Sequence, residues 1–340
     1  MCVNPGVRLR RYPAPGPLTS DDFEIVDEPQ PALEVGQIRV ESIYASVDAG
    51  QRAMVDRDSS YVVKMKLGDA VRCAGVVGRV IESRDQEFAA GDYALIFSSG
   101  VWQKYIVPVR DRSPILKVDP TRQPLHVYIG LLGMVGFTAY VGIFEIGKPK
   151  FGETVVVSAA AGAVGGLAGQ FAKIGGARVI GIAGGNEKCD FVTHELGFDA
   201  CIDYKAEDFA AQLSAACADG IDVYFDNVGG DILDAVWPRL NVFGRVVICG
   251  QISQYTGAAP RGPNLFATTL KRLTVRGFLA NDHYEVLPEF QKHVGLWFHE
   301  GRLKHFASIE IGLENAYRAI NNLVSGGNRG KQMIQVTPER

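Results

Sequence analysis

The sequence predicts an α/β protein of two domains, one built on a doubly wound parallel sheet and the other mostly β. Its 340 residues are enough for two sizeable hydrophobic cores. From about residue 124, helical patterns alternate with short apolar runs, as in a sheet covered by helices on both faces. Six such runs are predicted as strands: residues 154–158, 179–183, 200–202, 223–225, 245–249 and 274–279.

The region from Phe23 to about Lys117 has a different pattern. Short alternating or β-rich runs are separated there by glycine, proline and charged turns, which favours a mostly β domain. The predicted β-rich runs are residues 37–43, 73–81, 93–97 and 104–107. After a helix around residues 285–300, a strand, a helix and a second strand close the chain, and we expect them to return to this first domain. The predicted domains are therefore residues 1–124 with 302–340, and residues 125–301.

The first predicted strand of the second domain runs into a turn of small residues that opens a helix. Ala160, Gly162 and Gly165 occupy the three small positions of the fingerprint G-x-G-x-x-G. Backbone can approach a phosphate closely there, and the helix amides and dipole favour negative charge. We therefore predict a dinucleotide-binding (Rossmann) domain whose pyrophosphate turn is Gly162, Ala163, Val164 and Gly165. A tight turn before a helix, without a ligand, is the alternative.

The end of the second strand indicates which dinucleotide is bound. NAD-selective domains carry Asp or Glu at that tip to hold the ribose 2′-hydroxyl. Here the strand ends in Gly184, Gly185 and Asn186, and Lys188 follows. Lys188 can meet the 2′-phosphate of NADP as a point charge, so NADP is the predicted cofactor. A solvated helix position is the alternative for this lysine.

Composition excludes several classes. A hydrophobic fraction of 47% and a charged fraction of 21% are ordinary for a globular protein, and the formal net charge is −3. Neither nucleic acid nor an anionic membrane is an expected partner. The apolar stretches are too short for a membrane span, and the N-terminus has no secretory hydrophobic run, so we expect a cytoplasmic protein.

Cysteine and histidine are scattered along the chain. The six cysteines form no C-x-x-C pair, and the six histidines have no metal-ligand spacing. We predict no metal site and no disulfide framework.

Several motifs occur in a characteristic order along nearly the full chain. They are residues 46–48 with Arg52, 133–140, 159–165, 187–188, 203–205, 225–230, 249–255 and 327–331. In these blocks the chain resembles the medium-chain dehydrogenase/reductase superfamily. The resemblance is strongest to its zinc-independent branch, which holds leukotriene B4 dehydrogenase/prostaglandin reductases, plant double-bond reductases and bacterial curcumin reductases.

The resemblance implies a GroES-like first domain and an NADPH-dependent reductase of the C=C bond in α,β-unsaturated aldehydes and ketones. Zinc alcohol dehydrogenases carry a G-H-E metal motif where this chain has Arg72-Cys73-Ala74-Gly75. Conjugate reduction needs no Lewis acid, because one or two hydrogen-bond donors can stabilise the enolate oxygen. Three alternatives stay open: quinone reduction, oxidation of a secondary alcohol, and a non-catalytic dinucleotide-binding structural protein.

The resemblance also implies site residues and an assembly. Tyr255 would donate to the enolate oxygen, and Tyr61 would point into the same cleft. A homodimer is implied, with the last strands of the nucleotide domains, around residues 273–278, pairing across a two-fold axis. The implied cofactor contacts beyond the turn are Lys188, Tyr204, Asn227, Cys249, Gly250, Gln251, Ser253, Tyr255, Phe278, Leu279, Ala280 and Asn328.

Overall fold

The computed structural model describes residues 3–57, 64–110, 113–255 and 262–339. The N-terminal elements are β1 (Pro5–Leu9), β2 (Phe23–Asp27), β3 (Ile38–Ser46), α1 (Gly50–Met54), β4 (Arg72–Cys73), β5 (Val76–Ser83), β6 (Tyr93–Ile96), β7 (Gly100–Val101), β8 (Tyr105–Ile106), β9 (Ile115–Val118) and α2 (Leu125–Ile129). The central elements are α3 (Met134–Tyr140), β10 (Thr154–Ser158), α4 (Ala163–Ile174), β11 (Arg178–Ala183), α5 (Asn186–Asp190), β12 (Ala200–Asp203), α6 (Phe209–Ala216), β13 (Ile221–Asp226), α7 (Gly230–Val236), β14 (Leu240–Ile248), α8 (Phe266–Lys271), β15 (Thr274–Gly277) and α9 (Leu287–His299). The C-terminal elements are β16 (Ala307–Ile311), α10 (Ala316–Val324) and β17 (Lys331–Gln335).

The chain divides into two compact units. One comprises Met1–Met134 with Ala307–Arg340, and the other comprises Val135–Phe306. These divisions lie ten and five residues after the boundaries expected from the sequence, at 124/125 and 301/302. No helix in the described part of the chain is long and apolar enough to cross a membrane.

The second unit is built on a six-stranded sheet in the order β12-β11-β10-β13-β14-β15, with every neighbouring pair parallel. All five residues of β10 are buried, as expected for a strand covered on both faces. The six predicted strands are confirmed, and their order is that of a doubly wound dinucleotide-binding fold. The order reverses between β10 and β13, and ligands of such sheets bind beyond the carboxyl ends of the strands at that point.

The first unit contains a seven-stranded sheet in the order β16-β17-β3-β5-β6-β9, with β8 paired to β3. Strand β17 runs antiparallel to β3, so the C-terminal strands belong to the sheet of the first unit. A mostly β architecture for this unit is confirmed. Its core includes Trp102, which is fully buried and donates from its indole to the Ser46 carbonyl.

Candidate functional site

The turn after β10 brings the start of α4 against the end of the strand. Ala159 is left-handed at φ +50°, and the Gly162 amide donates to the Ala159 carbonyl at 2.9 Å. A Cβ at Gly165 would lie 2.4 Å from that same carbonyl oxygen. Only glycine therefore lets the helix pack this closely on the turn, which is the role of the third fingerprint position.

The N-terminus of α4 carries backbone donors that no side chain satisfies. Its N-cap is Gly162, which makes no side-chain cap, and the first turn contains no acidic residue. The helix is twelve residues long, so its dipole adds positive potential at this end. The amides at Ala163, Val164 and Gly165 fit a phosphate, because the first amides of a helix have no intrahelical acceptor.

The turn after β11 is covered by two side chains from the end of β12. Gly184 lies so close to them that a Cβ there would be 2.9 Å from the Tyr204 ring and 3.1 Å from Lys205 Cε. Lys188 is half-buried on α5, the short helix that begins just after Gly185. Lys188 and Tyr204 thus both flank the tip where an NAD-selective domain carries its acid. Sequence reasoning did not select Lys205 as a contact, although it directly follows Tyr204.

A carboxylate near this tip, at the end of β12, already has hydrogen-bond partners. Asp203 accepts the Gly185 and Lys205 amides at 2.8 and 2.9 Å. These two backbone hydrogen bonds lower the pKa of Asp203, so the group stays ionised. Its charge stabilises the turn, while the Lys205 side chain supplies a positive charge beside it.

Asn227 links the ends of the two strands at the reversal of the sheet. Its side-chain amide donates to the Ser158 carbonyl at 2.7 Å, and its backbone amide donates to Ser158 Oγ at 2.8 Å. The residue therefore lies at the carboxyl edge of the sheet, next to the pyrophosphate turn.

The segment after β14 lies at the same edge. Cys249 and Gly250 donate their amides to the Asp226 carbonyl, and Ser253 Oγ donates to the Val228 carbonyl. Burial, with the Asp226 charge, raises the pKa of Cys249 to about 12. The thiol therefore stays protonated and is a poor nucleophile.

Tyr255 ends the short 3₁₀ helix Ile252–Gln254, with its hydroxyl 3.3 Å from the position of a Cβ at Gly250. The Gln251 side chain packs over Gly229, with its Cγ 3.2 Å from the position that a Cβ of residue 229 would occupy. The structure therefore brings together the predicted residues Cys249, Gly250, Gln251, Ser253 and Tyr255 with the loop after β13.

The predicted carboxamide contacts follow the edge strand β15. Leu279 is 70% exposed, whereas Ala280 is buried and begins a 3₁₀ helix, Ala280–Val286. The Phe278 ring lies 3.0 Å from the position of a Cβ at Gly142. This predicted strand ends at Gly277, two residues earlier than the sequence pattern suggested.

Two predicted residues belong to the first unit. Asn328 is buried, and its side-chain amide donates to the Gly330 carbonyl at 2.9 Å. Tyr61 lies outside the described residues, as does most of the loop that follows Tyr255.

Asp48, in the loop after β3, has its charge neutralised inside the first unit. Lys331 Nζ lies 2.6 Å from one carboxylate oxygen, and the Ser46 hydroxyl donates to the other. Burial alone would raise the pKa of Asp48, but the Lys331 charge and these hydrogen bonds outweigh it and lower the pKa. The pair joins the loop after β3 to the start of β17.

In the described part of the chain, no group of three or more His, Cys, Asp or Glu side chains is arranged to hold a metal ion. Cys73, at the position of the metal motif in zinc alcohol dehydrogenases, is buried and donates from its thiol to the Gly75 carbonyl at 3.3 Å.

Two family models match the chain. One, described as a zinc-binding dehydrogenase, matches residues 163–294, and the other, an N-terminal domain of oxidoreductases, matches residues 6–117.

Curated relatives match over most of the chain. An NADPH-dependent curcumin reductase of Escherichia coli is 40% identical over 334 residues, covering 96% of this chain and 94% of the relative. A 2-alkenal reductase (NADP(+)-dependent) of Nicotiana tabacum is 40% identical and covers 88% of this chain and 87% of the relative. Among solved structures, CurA of Vibrio vulnificus in complex with NADPH is 38% identical, with a TM-score of 0.89 over 98% of this chain and 100% of that one.

Proposed function

We propose that this chain, which belongs to the zinc-independent, curcumin reductase-like branch of the medium-chain dehydrogenase/reductase family, is an NADPH-dependent reductase of the C=C bond in α,β-unsaturated aldehydes and ketones. The observation behind this proposal is the N-terminus of α4, which has no side-chain cap and no acidic residue in its first turn, and which Gly165 lets pack closely on the preceding turn. A pyrophosphate binds to such a helix N-terminus through its backbone amides.

The cofactor fits the second unit in two places. The amides of the Gly162–Gly165 turn hold the pyrophosphate, and Lys188 with Tyr204 hold the 2′-phosphate beside Gly184. Support for the second contact comes from Gly184, where a Cβ would lie 2.9 Å from the Tyr204 ring and 3.1 Å from Lys205 Cε, so that an aromatic ring and a lysine already cover this turn. Residues on the nicotinamide side are Asn227, Cys249, Gly250, Gln251, Ser253, Tyr255, Phe278, Leu279 and Ala280, with Asn328 from the C-terminal segment.

When bound, NADPH supplies a hydride that adds to the β-carbon of the substrate. Negative charge then develops on the carbonyl oxygen as the enolate forms, and a donor aimed at that oxygen lowers the barrier. The Tyr255 hydroxyl is the donor we assign, and the family resemblance makes the Tyr61 hydroxyl the second donor that we propose.

The test is to follow the label from stereospecifically deuterated NADPH across a panel of enals, enones, quinones and simple aldehydes. A saturated carbonyl product with deuterium on its β-carbon, and an α-proton from solvent, is the expected result. Deuterium on a carbinol carbon would mean carbonyl reduction, and turnover restricted to quinones would favour the quinone reductase alternative.

We also propose that the protein is a homodimer joined through β15. This strand ends the sheet order, and all four of its residues are exposed. Exposed apolar side chains surround it, at 44% for Val275, 59% for Leu270 and 64% for Phe266. An unpaired edge of this kind is a template for a second copy. Light scattering should give a dimer for the native chain, a monomer for Val275→Lys, and a dimer for the control Leu296→Lys on α9.

A cytoplasmic location completes the proposal. Five cysteines lie among the described residues, and all five are free thiols, as is usual in a reducing compartment. Fractionation of the source cells should recover the protein with cytoplasmic markers, and recovery from an extracellular fraction would contradict this.

A further inference from the structure

The most heavily used side chain at the edge of the nucleotide sheet is one that sequence reasoning did not select. Asp226 ends β13 and is fully buried. Its Oδ1 accepts the Tyr224 hydroxyl, the Ser158 hydroxyl, and the amides of Val228 and Gly229, at 2.8, 3.2, 3.0 and 2.9 Å. Within the described part of the chain, Oδ2 has no hydrogen-bond partner. One oxygen therefore fixes the orientation of the whole carboxyl group.

Three of these partners, the Val228 and Gly229 amides and the Ser158 hydroxyl, hold the loop of residues 227–230. Gly229 and Gly230 are left-handed, at φ +69° and +54°, a conformation that side chains other than glycine rarely adopt. The Ser158 hydroxyl bridges Asp226 to the Asn227 amide, so the end of β10 is tied to the same loop.

The main chain of Asp226 holds a second loop. Its carbonyl accepts the amides of Cys249 and Gly250. The two loops also touch each other, since Ser253 Oγ and the Ser253 amide both donate to the Val228 carbonyl. Residues 227–230 and 249–255 are therefore one block with Asp226 at its centre.

We propose that Asp226 is a positioning residue for the nicotinamide half of the cofactor, acting through this block. The inference rests on the proposed function, which assigns Asn227 and residues 249–255 to that half. Hydrogen bonds to a charged acceptor are stronger than those to a neutral one, and an amide left without its acceptor in a buried place costs the full desolvation penalty. Losing the charge at Asp226 should loosen the block without altering the α4 turn.

Three variants separate positioning from general stability. Asp226→Asn keeps the shape and removes the charge. Ser158→Ala removes one hydroxyl donor to Oδ1 together with the bridge to the Asn227 amide. Tyr224→Phe is the matched control, because its hydroxyl reaches the same oxygen from within β13 itself, two residues back.

The readout is the ratio of two dissociation constants measured on the full chain by titration calorimetry. NADPH has a nicotinamide half, whereas 2′,5′-ADP carries only the adenosine with its 2′- and 5′-phosphates. We expect the Kd of NADPH to rise about tenfold in Asp226→Asn and a few-fold in Ser158→Ala. The Kd of 2′,5′-ADP should stay within about twofold in all three variants, and Tyr224→Phe should leave both constants within that range.

A merely structural role predicts another pattern. If Asp226→Asn and Ser158→Ala lower the melting temperature but leave the NADPH constant unchanged, or weaken both ligands equally, the inference is wrong. If Asp226→Asn does not fold, Ser158→Ala is compared with Tyr224→Phe. The inference holds if only Ser158→Ala raises the Kd of NADPH relative to that of 2′,5′-ADP, and it is wrong otherwise. A native protein that binds neither ligand would overturn the proposed function itself, which distinguishes the two failures.

Discussion

The ends of β10 and β13 are neighbours at the same edge of one sheet, and each is followed by a helix with a glycine N-cap. The backbone amides after the two strands differ in whether a side chain binds them. After β10, helix α4 has no capping side chain and no acid in its first turn. After β13, the amides of Val228 and Gly229 are bound by Asp226, and the first turn of α7 contains Asp231. A helix N-terminus alone therefore does not select an anion. Helix α4 therefore begins with amides that have no side-chain acceptor, whereas the two amides just before α7 are bound by Asp226.

The contrast explains how one sheet edge can serve two halves of a dinucleotide. A phosphate needs amides that point outward without competition, whereas a nicotinamide ring needs loops held in fixed positions. In our proposal Asp226 supplies the second requirement, because its carboxylate holds the loop after β13 and its backbone carbonyl holds the loop after β14.

The largest effect on NADPH binding should come from giving the N-terminus of α4 an acidic residue, as the N-terminus of α7 has. Ala163→Asp places an acid in the first turn of α4, where it repels the pyrophosphate. We expect the Kd of NADPH to rise about 100-fold, from the interaction of like charges a few ångströms apart in a partly screened site. Thermal stability should stay equal or increase, because an acid stabilises a helix N-terminus.

The control for this charge is Ala163→Asn, which has nearly the same size without the charge. Its Kd should lie much nearer that of the native protein. If both variants weaken NADPH equally, shape and not charge selects the ligand, and the contrast between the two strand ends loses its electrostatic basis.

The next effect concerns the end of β11. Lys188→Ala removes a positive charge from the tip where Tyr204 covers Gly184, so the KM for NADPH should rise about tenfold while the KM for NADH changes little. Steady-state kinetics with both cofactors measure this. Lys173→Ala, at the far end of α4 and paired with Asp199 at 2.8 Å, is the control and should leave both values unchanged. Equal use of NADPH and NADH by the native enzyme would contradict the assignment.

A third effect tests the fixed loops at the β13 side. Tyr255→Phe removes the proposed donor to the enolate oxygen and should lower turnover about tenfold, roughly 1.4 kcal/mol, since the ribose 2′-hydroxyl of the cofactor remains. Single-turnover measurements isolate the hydride step. Tyr128→Phe, in the first unit with its hydroxyl on the Asp119 carbonyl, is the control. Unchanged turnover in Tyr255→Phe, with hydride transfer rate-limiting, would leave Tyr255 as a wall of the pocket.

The same contrast shows what the sequence can and cannot predict. The six parallel strands and the α4 turn could be predicted, because buried strands are apolar runs and the glycine spacing is local. Strands β1 and β2 were missed, since the exposed pattern of β2 carries little periodic signal. The Asp226 block was also missed, because its contacts join residues 68 apart through the pairing of β10 with β13. The run of Asp226, Asn227, Val228 and two glycines was the available signal.

The smallest expected effect is that of a chelator, which should leave turnover unchanged within about twofold. In conjugate reduction, charge develops on a single oxygen that a hydroxyl donor can stabilise, so the reaction does not require a Lewis acid. Burial, followed by the Asp48 charge, raises the pKa of the Cys73 thiol well above its usual range, and among the described residues no group of three or more His, Cys, Asp or Glu side chains is arranged to hold a metal ion. Activity should be measured after dialysis against a strong chelator and after return of zinc, with elemental analysis of the native protein. If the chelator abolishes activity, zinc restores it and the native protein contains one zinc per chain, a metal and not Tyr255 stabilises the enolate oxygen. The contrast between the two strand ends would then not account for catalysis.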